Sequence, residues 1–182
     1  MLIFLLGVAD FGRVFADGIA LEAAARNSAE AAAQEYLQLC AKYPGGCADL
    51  VQADYDDPDV GLHARALEVG CREAERLTNV ITVDDDLNPV TPEVCTNPII
   101  AVCVHDDGTG DTTSCGQEAP AAPAECSRMS TAWSATRSGP PDGRPYVEVR
   151  MCYLFEPLVP LTEGWWGQVR LQRENNFAVT NY

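Results

Sequence analysis

MLIFLLGVADFGRVFADGIALEAAARNSAEAAAQEYLQLCAKYPGG, residues 1–46, is the stretch that decides the architecture. Met1 to Ala9 are apolar and uncharged, and the residues that follow run without proline to Cys40. They are rich in alanine, the strongest helix former. Tyr43-Pro44-Gly45-Gly46 then supplies a stop, because proline cannot continue a helix and glycine suits its end. The pattern predicts one helix over 1–41, about 60 Å long. Such a helix outruns a domain of this size, so its N-terminal part is expected to protrude. The apolar run alone gives about 13 Å of helix, too short for a bilayer core of about 30 Å.

Within the helix, Gly12, Ala16, Ala20, Ala24, Ser28 and Ala32 recur every fourth residue. A stripe of small side chains lets a second backbone approach closely; the same spacing also arises in any alanine-rich helix. Asp10 and Arg13 stand three apart, within ion-pair reach. The pair reads as a solvated bridge or as a charge match between neighbouring subunits.

Downstream, residues 49–59 form an acidic loop. A second helix is expected over 58–78, with Asp57 as cap and Pro58 in its first turn. Leu62, Ala66, Val69, Glu73 and Leu77 trace its buried face. The period then shortens to that of strands. Strands are expected at 80–83, at 99–104, at 146–155 (half-buried, with Val147, Val149, Met151, Tyr153 and Phe155 sharing one face), at 167–172 and at 177–180. Residues 106–110 read as a turn and 112–145 as a long Pro-, Ser- and Thr-rich loop. Helices followed by strands make an α+β order with a small antiparallel sheet. The domain division is an N-terminal helix, 1–41, and a head, 42–182.

The chain has 182 residues and a net charge of −15, which argues against nucleic acid as partner, since phosphate neutralisation needs clustered Lys and Arg. Its eight cysteines are Cys40, Cys47, Cys71, Cys95, Cys103, Cys115, Cys126 and Cys152. None forms a CxxC and neither histidine adjoins a close pair, so the set reads as disulfides in an oxidising compartment and not as zinc ligands. Cys40–Cys47 and Cys115–Cys126, which close short loops, are the expected bridges.

Catalytic signals are sparse. No GxSxG, HExxH or Gly-rich phosphate loop is present. His105 beside Asp106 and Asp107 could support acid–base work, but the plain reading is a solvated turn histidine, and His63 falls in a helical segment. Asp84 and Asp86, and separately Asp106, Asp107 and Asp111, offer hard oxygens of the kind calcium prefers. Neither group follows the EF-hand pattern, and solvated turns account for both. Trp165-Trp166 between glycines reads as an exposed patch or a buried anchor. The expectation is a non-enzymatic protein without a cofactor.

Asp10-Phe11-Gly12-Arg13 after the apolar run, then Ala23-Ala24-Ala25-Arg26-Asn27-Ser28-Ala29, and the VEVRMCYLFEPLVP strand of the C-terminal part together resemble TadE/TadG-like pseudopilins of the tight-adherence pilus system. The resemblance covers residues 1–40 and 145–182. Family members begin with a longer apolar segment carrying a prepilin-peptidase site, whereas Met1 here lies midway along that segment. The resemblance implies a pilin-like fold and a structural subunit of an extracellular filament, anchored in the inner membrane before assembly. Its partners would be copies of itself or other pilin-like subunits. Leu2, Phe4, Leu5, Leu6, Val8, Phe11, Gly12, Ala16, Ala20 and Ala24 are the candidate assembly residues. The alternatives are a secreted binding module or enzyme, with Leu2–Ala9 as the core of a signal peptide cleaved after Val14-Phe15-Ala16, and a membrane-tethered monomeric adhesin.

Overall fold

The computed structural model describes residues 2–50, 54–55, 61–77, 81–83, 94–105, 114–115, 126, 129, 145–157 and 169–179. Helix α1 spans Leu2–Lys42, and a short 3₁₀ turn follows at Gly46–Asp49. The helix ends two residues before Pro44, as expected, and Gly46 then turns the chain with a φ of 67°, in the left-handed region that glycine enters without a Cβ penalty. The Cys40–Cys47 bridge fastens the end of α1 across that turn, as its short loop suggested.

Helix α2 spans Leu62–Ala74. It starts later than the expected residue 58: Gly61, in extended conformation, is the residue before its first turn, and no side chain caps it. Asp57 and Pro58 lie outside the described residues. Leu62, Ala66, Val69 and Leu77 are buried as the spacing required, and Glu73 is half-buried.

Strands β1 (Ile81–Val83) and β2 (Val94–Asn97) form an antiparallel pair. A second antiparallel sheet has the order β4-β3-β5-β6, from Ser114–Cys115, Ile99–His105, Tyr146–Phe155 and Val169–Ala178. Register places Val102 opposite Val149 and Val149 opposite Asn175, so side chains of one parity share one face. On that inner face Val104, Val147, Val149, Met151, Tyr153 and Phe155 pack into one core with Leu21, Ala24, Ala29, Tyr36 and Leu39 of α1 and Leu62 and Ala66 of α2. The fold is α+β, two helices on an antiparallel sheet, in agreement with the sequence.

Two strand expectations and one disulfide need correction. β5 is not half-buried: its outward-facing Tyr146, Glu148, Arg150 and Cys152 are buried too. The Cys126–Cys152 bridge brings Cys126 against that outer face, where Met129 and Ala101 join it in a second, smaller cluster. The same bridge excludes the expected Cys115–Cys126 pairing. Finally, β6 is one continuous strand, where the sequence suggested two separated by polar residues. Cys71–Cys95 ties α2 to β2, and Cys103, also disulfide-bonded, faces Cys115 across the β3–β4 ladder. Most of the 112–145 loop, the 106–110 turn and Trp165-Trp166 lie outside the described residues.

Candidate functional site

Helix α1 divides into two stretches. From Phe4 to Ala9 every side chain is exposed, and the first buried residue is Asp10. From there one face of the helix seats on the sheet. Arg13 pairs with Asp10 at 3.3 Å and lies over the Phe155 ring, 5.3 Å from its centre. Tyr153 donates a hydrogen bond to the Asp17 carboxylate at 3.4 Å. The Asp10–Arg13 pair is thus made within the chain and is part of the helix's seat. It is more enclosed than a solvated surface bridge.

The small-residue stripe serves both stretches. Gly12 and Ala16 are exposed, Ala20 is half-buried against the core, and Ala24, Ser28 and Ala32 are fully buried. In its buried half Ser28 donates to the Ala66 carbonyl at 2.6 Å. A Cβ added at Gly70 would come within 3.3 Å of Ser28 Oγ and 2.8 Å of Ile100 Cδ1. Close approach is therefore used inside the molecule, between α1 and α2, and Ala24 is a core residue.

The outward face is apolar. Phe4 is 75% exposed, Val8 57%, Phe11 66%, Phe15 61% and Ile19 69%, with Leu5 beside them; Leu6 lies on the opposite side, in line with Asp10 and Arg13. The steps of four, three, four and four residues keep the first five side chains on one side of the helix. The Phe11 and Phe15 rings meet in a tilted contact, 5.2 Å between centres, without covering either ring from water. The six large apolar side chains of this face present on the order of 700 Å² at such exposures. Patches above a few hundred Å² on a lone soluble protein mark contact surfaces. Phe15 and Ile19 were not among the residues singled out from the sequence, although extending the Phe4-Val8-Phe11 spacing reaches both. The side chain of Leu2 lies outside the described set. No described helix is long and apolar enough to cross a membrane.

Beside this face, α1 and the inner side of β6 border an open groove of about 1140 Å³. Phe15, Ile19, Leu171 and Phe177 line it together with the polar Arg26, Asn27, Glu30, Asn175 and Asn176, so its walls are mixed. Glu22 and Arg173 meet across it at 3.2 Å.

A second concentration of chemistry lies on the outer face of the sheet. His105 is fully buried, not in a solvated turn, and its ring stacks on Tyr146 at 4.3 Å. Glu148 contacts His105 Nε2 at 3.0 Å and accepts from Arg150 Nε at 2.8 Å; Arg150 also reaches Glu174 at 3.9 Å. Burial pushes the Glu148 carboxyl up. The His105 hydrogen bond, with the charge and hydrogen bond of Arg150, outweighs burial and holds it below the usual carboxylate range. The arrangement is that of a structural ion cluster cross-linking β3, β5 and β6. His63 is buried beside Tyr55, with ring centres 6.3 Å apart, far from this cluster in the fold.

The calcium candidates Asp84, Asp86, Asp106, Asp107 and Asp111 lie outside the described residues. Among the described residues, no group of three or more His, Cys, Asp or Glu side chains is placed to hold a metal. Comparison with family models, with curated proteins and with solved structures finds no match to this chain.

Proposed function

We infer that the protein is a structural, non-enzymatic subunit of the TadE/TadG-like pseudopilin kind, assembling into an extracellular filament through α1. The observation that carries this reading is the division of α1. One face is seated on the head through Asp10, Arg13 and Asp17, and the other leaves Phe4, Val8, Phe11, Phe15 and Ile19 in water. Burying that face requires a partner, and packing among equivalent helices supplies one without lipid. The disulfides suit a head displayed in an oxidising compartment. The charge of −15 keeps such heads soluble and apart while the helices associate.

The test is electron microscopy of the native material, together with a truncation. Removing Met1 to Asp17 would strip Asp10, Arg13 and Asp17 from the seat as well as the tip. The informative cut is Met1 to Ala9, which takes only exposed side chains among those described. Filaments from the full chain and a folded, disulfide-bonded monomer from the truncated one are expected. A full chain that stays monomeric at high concentration overturns the reading.

A further inference from the structure

We propose that helix α1 pairs antiparallel with α1 of a second copy of this chain across the Phe4–Ile19 face, in a closed two-fold contact centred between Phe11 and Gly12. The inference rests on the reading that this face is buried between copies of the chain. It goes beyond that reading in fixing the direction and register of the pair, so that a filament would be built of dimers.

Three observations carry it. First, pattern. In a two-fold pair, a residue that meets another on the second copy is met by it in return. Setting Phe4 opposite the second copy's Ile19 sets Val8 opposite Phe15 and Phe11 opposite Gly12. Four of the five large side chains thus meet one another, and the fifth meets a glycine. A Cβ added at Gly12 would find nothing within 4 Å, so that position has room for the second copy's Phe11 ring. The steps of four, three and four residues from Phe4 to Phe15 are those of a helix-pair seam. Residues 4 to 19 alone set this register.

Second, area. The face presents on the order of 700 Å². Covering it on both copies removes on the order of 1,400 Å² from water, within the range of stable, specific interfaces. Asp10, Arg13 and Asp17, which seat α1 on its head, point the opposite way. A second helix therefore reaches the face without displacing the sheet.

Third, charge. Helix α1 carries five acidic and three basic side chains, so most of the net charge of −15 sits in the head. The head is seated on α1 from Asp10 towards the helix end at Lys42. With the axis between Phe11 and Gly12, the middles of the two seated stretches stand about 40 Å apart along the pair. That is several Debye lengths, each about 8 Å at physiological ionic strength. A parallel pair in register would set the two acidic heads level with each other. Repulsion between heads thus selects the direction, and side-chain fit selects the register.

The experiment uses full-length variants changed at Val8 and Phe15, both exposed in the monomer. A mixed-charge variant carries Val8→Lys with Phe15→Asp. Two like-charge variants carry Val8→Lys with Phe15→Lys, and Val8→Asp with Phe15→Asp. Circular dichroism is expected to show all three folded as the parent; loss of fold would make these side chains core residues and overturn the proposal. Sedimentation equilibrium reads association, and the parent is expected to be a dimer at about micromolar concentration. In the antiparallel pair position 8 faces position 15, so the mixed-charge variant makes two attractive contacts and each like-charge variant two repulsive ones. The mixed-charge variant is expected to dimerise about tenfold more tightly than either like-charge variant. A parallel pair in register sets each position against itself, which makes all three variants repulsive. A mixed-charge variant no tighter than the like-charge ones therefore overturns the proposal. So does a parent that stays monomeric, whether free or bound to phosphatidylcholine vesicles. Native filaments with no preference for the mixed-charge variant retain the filament reading and sink the antiparallel pair. A dimer with the expected preference and no filaments does the reverse.

Discussion

Replacing Phe11 and Phe15 by serine separates folding from assembly. The rings are 66% and 61% exposed, so the folded monomer gains little from them. Surface substitutions of this kind move unfolding free energy by about 0.5 kcal/mol either way. Loss of the Phe11–Phe15 contact at 5.2 Å, an i,i+4 pair, adds about 0.2–0.5 kcal/mol. The unfolding midpoint in urea should therefore shift by less than the equivalent of about 1 kcal/mol. Association is different. Fully burying a large apolar side chain is worth about 1.5–3 kcal/mol, so two of them at a subunit contact carry about 3–6 kcal/mol. At 1.4 kcal/mol per decade the dissociation constant should rise by roughly two to four orders of magnitude. Analytical ultracentrifugation of parent and double variant across a hundredfold concentration range reads the association term, and urea denaturation of the monomer reads the folding term. Equal association for the two proteins would refute the reasoning. So would a fall in monomer stability above about 1.5 kcal/mol, which would make these rings core residues.

Three further outcomes are expected. Ala24→Leu, at a fully buried site of the core, should cost about 1–3 kcal/mol of fold stability, whereas Ala16→Leu, at an exposed site, should cost less than about 0.5 kcal/mol, both read by chemical denaturation. Glu148→Gln should lower stability by about 2 kcal/mol near neutral pH through its lost charge-assisted hydrogen bonds. The folded carboxyl titrates below its unfolded value, so its contribution is complete above the unfolded pKa and lost as pH falls through the folded one; the gap between parent and variant should close across that acidic window, in denaturation curves taken at successive pH values. Thiol titration of the unfolded, unreduced protein should find none of Cys40, Cys47, Cys71, Cys95, Cys126 and Cys152 free, and reducing any one bridge should cost about 2–5 kcal/mol.

The sequence disclosed elements that carry their own punctuation or period. Pro44-Gly45-Gly46 ended α1, and the alternation from Val147 to Phe155 identified the core face of β5. It was silent where burial comes from remote chain. The outer face of β5 is covered through a bridge from Cys126 to Cys152, and no local pattern announces a partner 26 residues away. Strand β6 was split because Arg173-Glu174-Asn175-Asn176 breaks the apolar rhythm. As the edge strand its residues stay partly exposed along almost the whole length, so neither face selects for alternation. The candidate site was half legible. A strict four-residue step turns 400° on a helix of 3.6 residues per turn, drifting about 40° each time. The stripe from Gly12 to Ala32 therefore winds from water into the core, and its members share no single surface. Steps that mix three and four hold position, which is why Phe4 to Ile19 form a face. His105 gave no local sign of burial, because its partners Tyr146 and Glu148 are supplied by the distant strand β5.

The placement of the bridges also bears on how the molecule carries tension. A chain pulled by its ends lengthens by releasing slack, at most about 3.3–3.6 Å for each residue freed. Cys71–Cys95 and Cys126–Cys152 close loops of 24 and 26 residues in separation. Each withholds roughly 80–90 Å of slack that no force short of breaking a covalent bond can release. Cys40–Cys47 does the same on a smaller scale at the root of the long helix. The rope-like element and the head are thus joined through a short-travel coupling, and a molecule under load would yield by a few small extensions before its covalent limit.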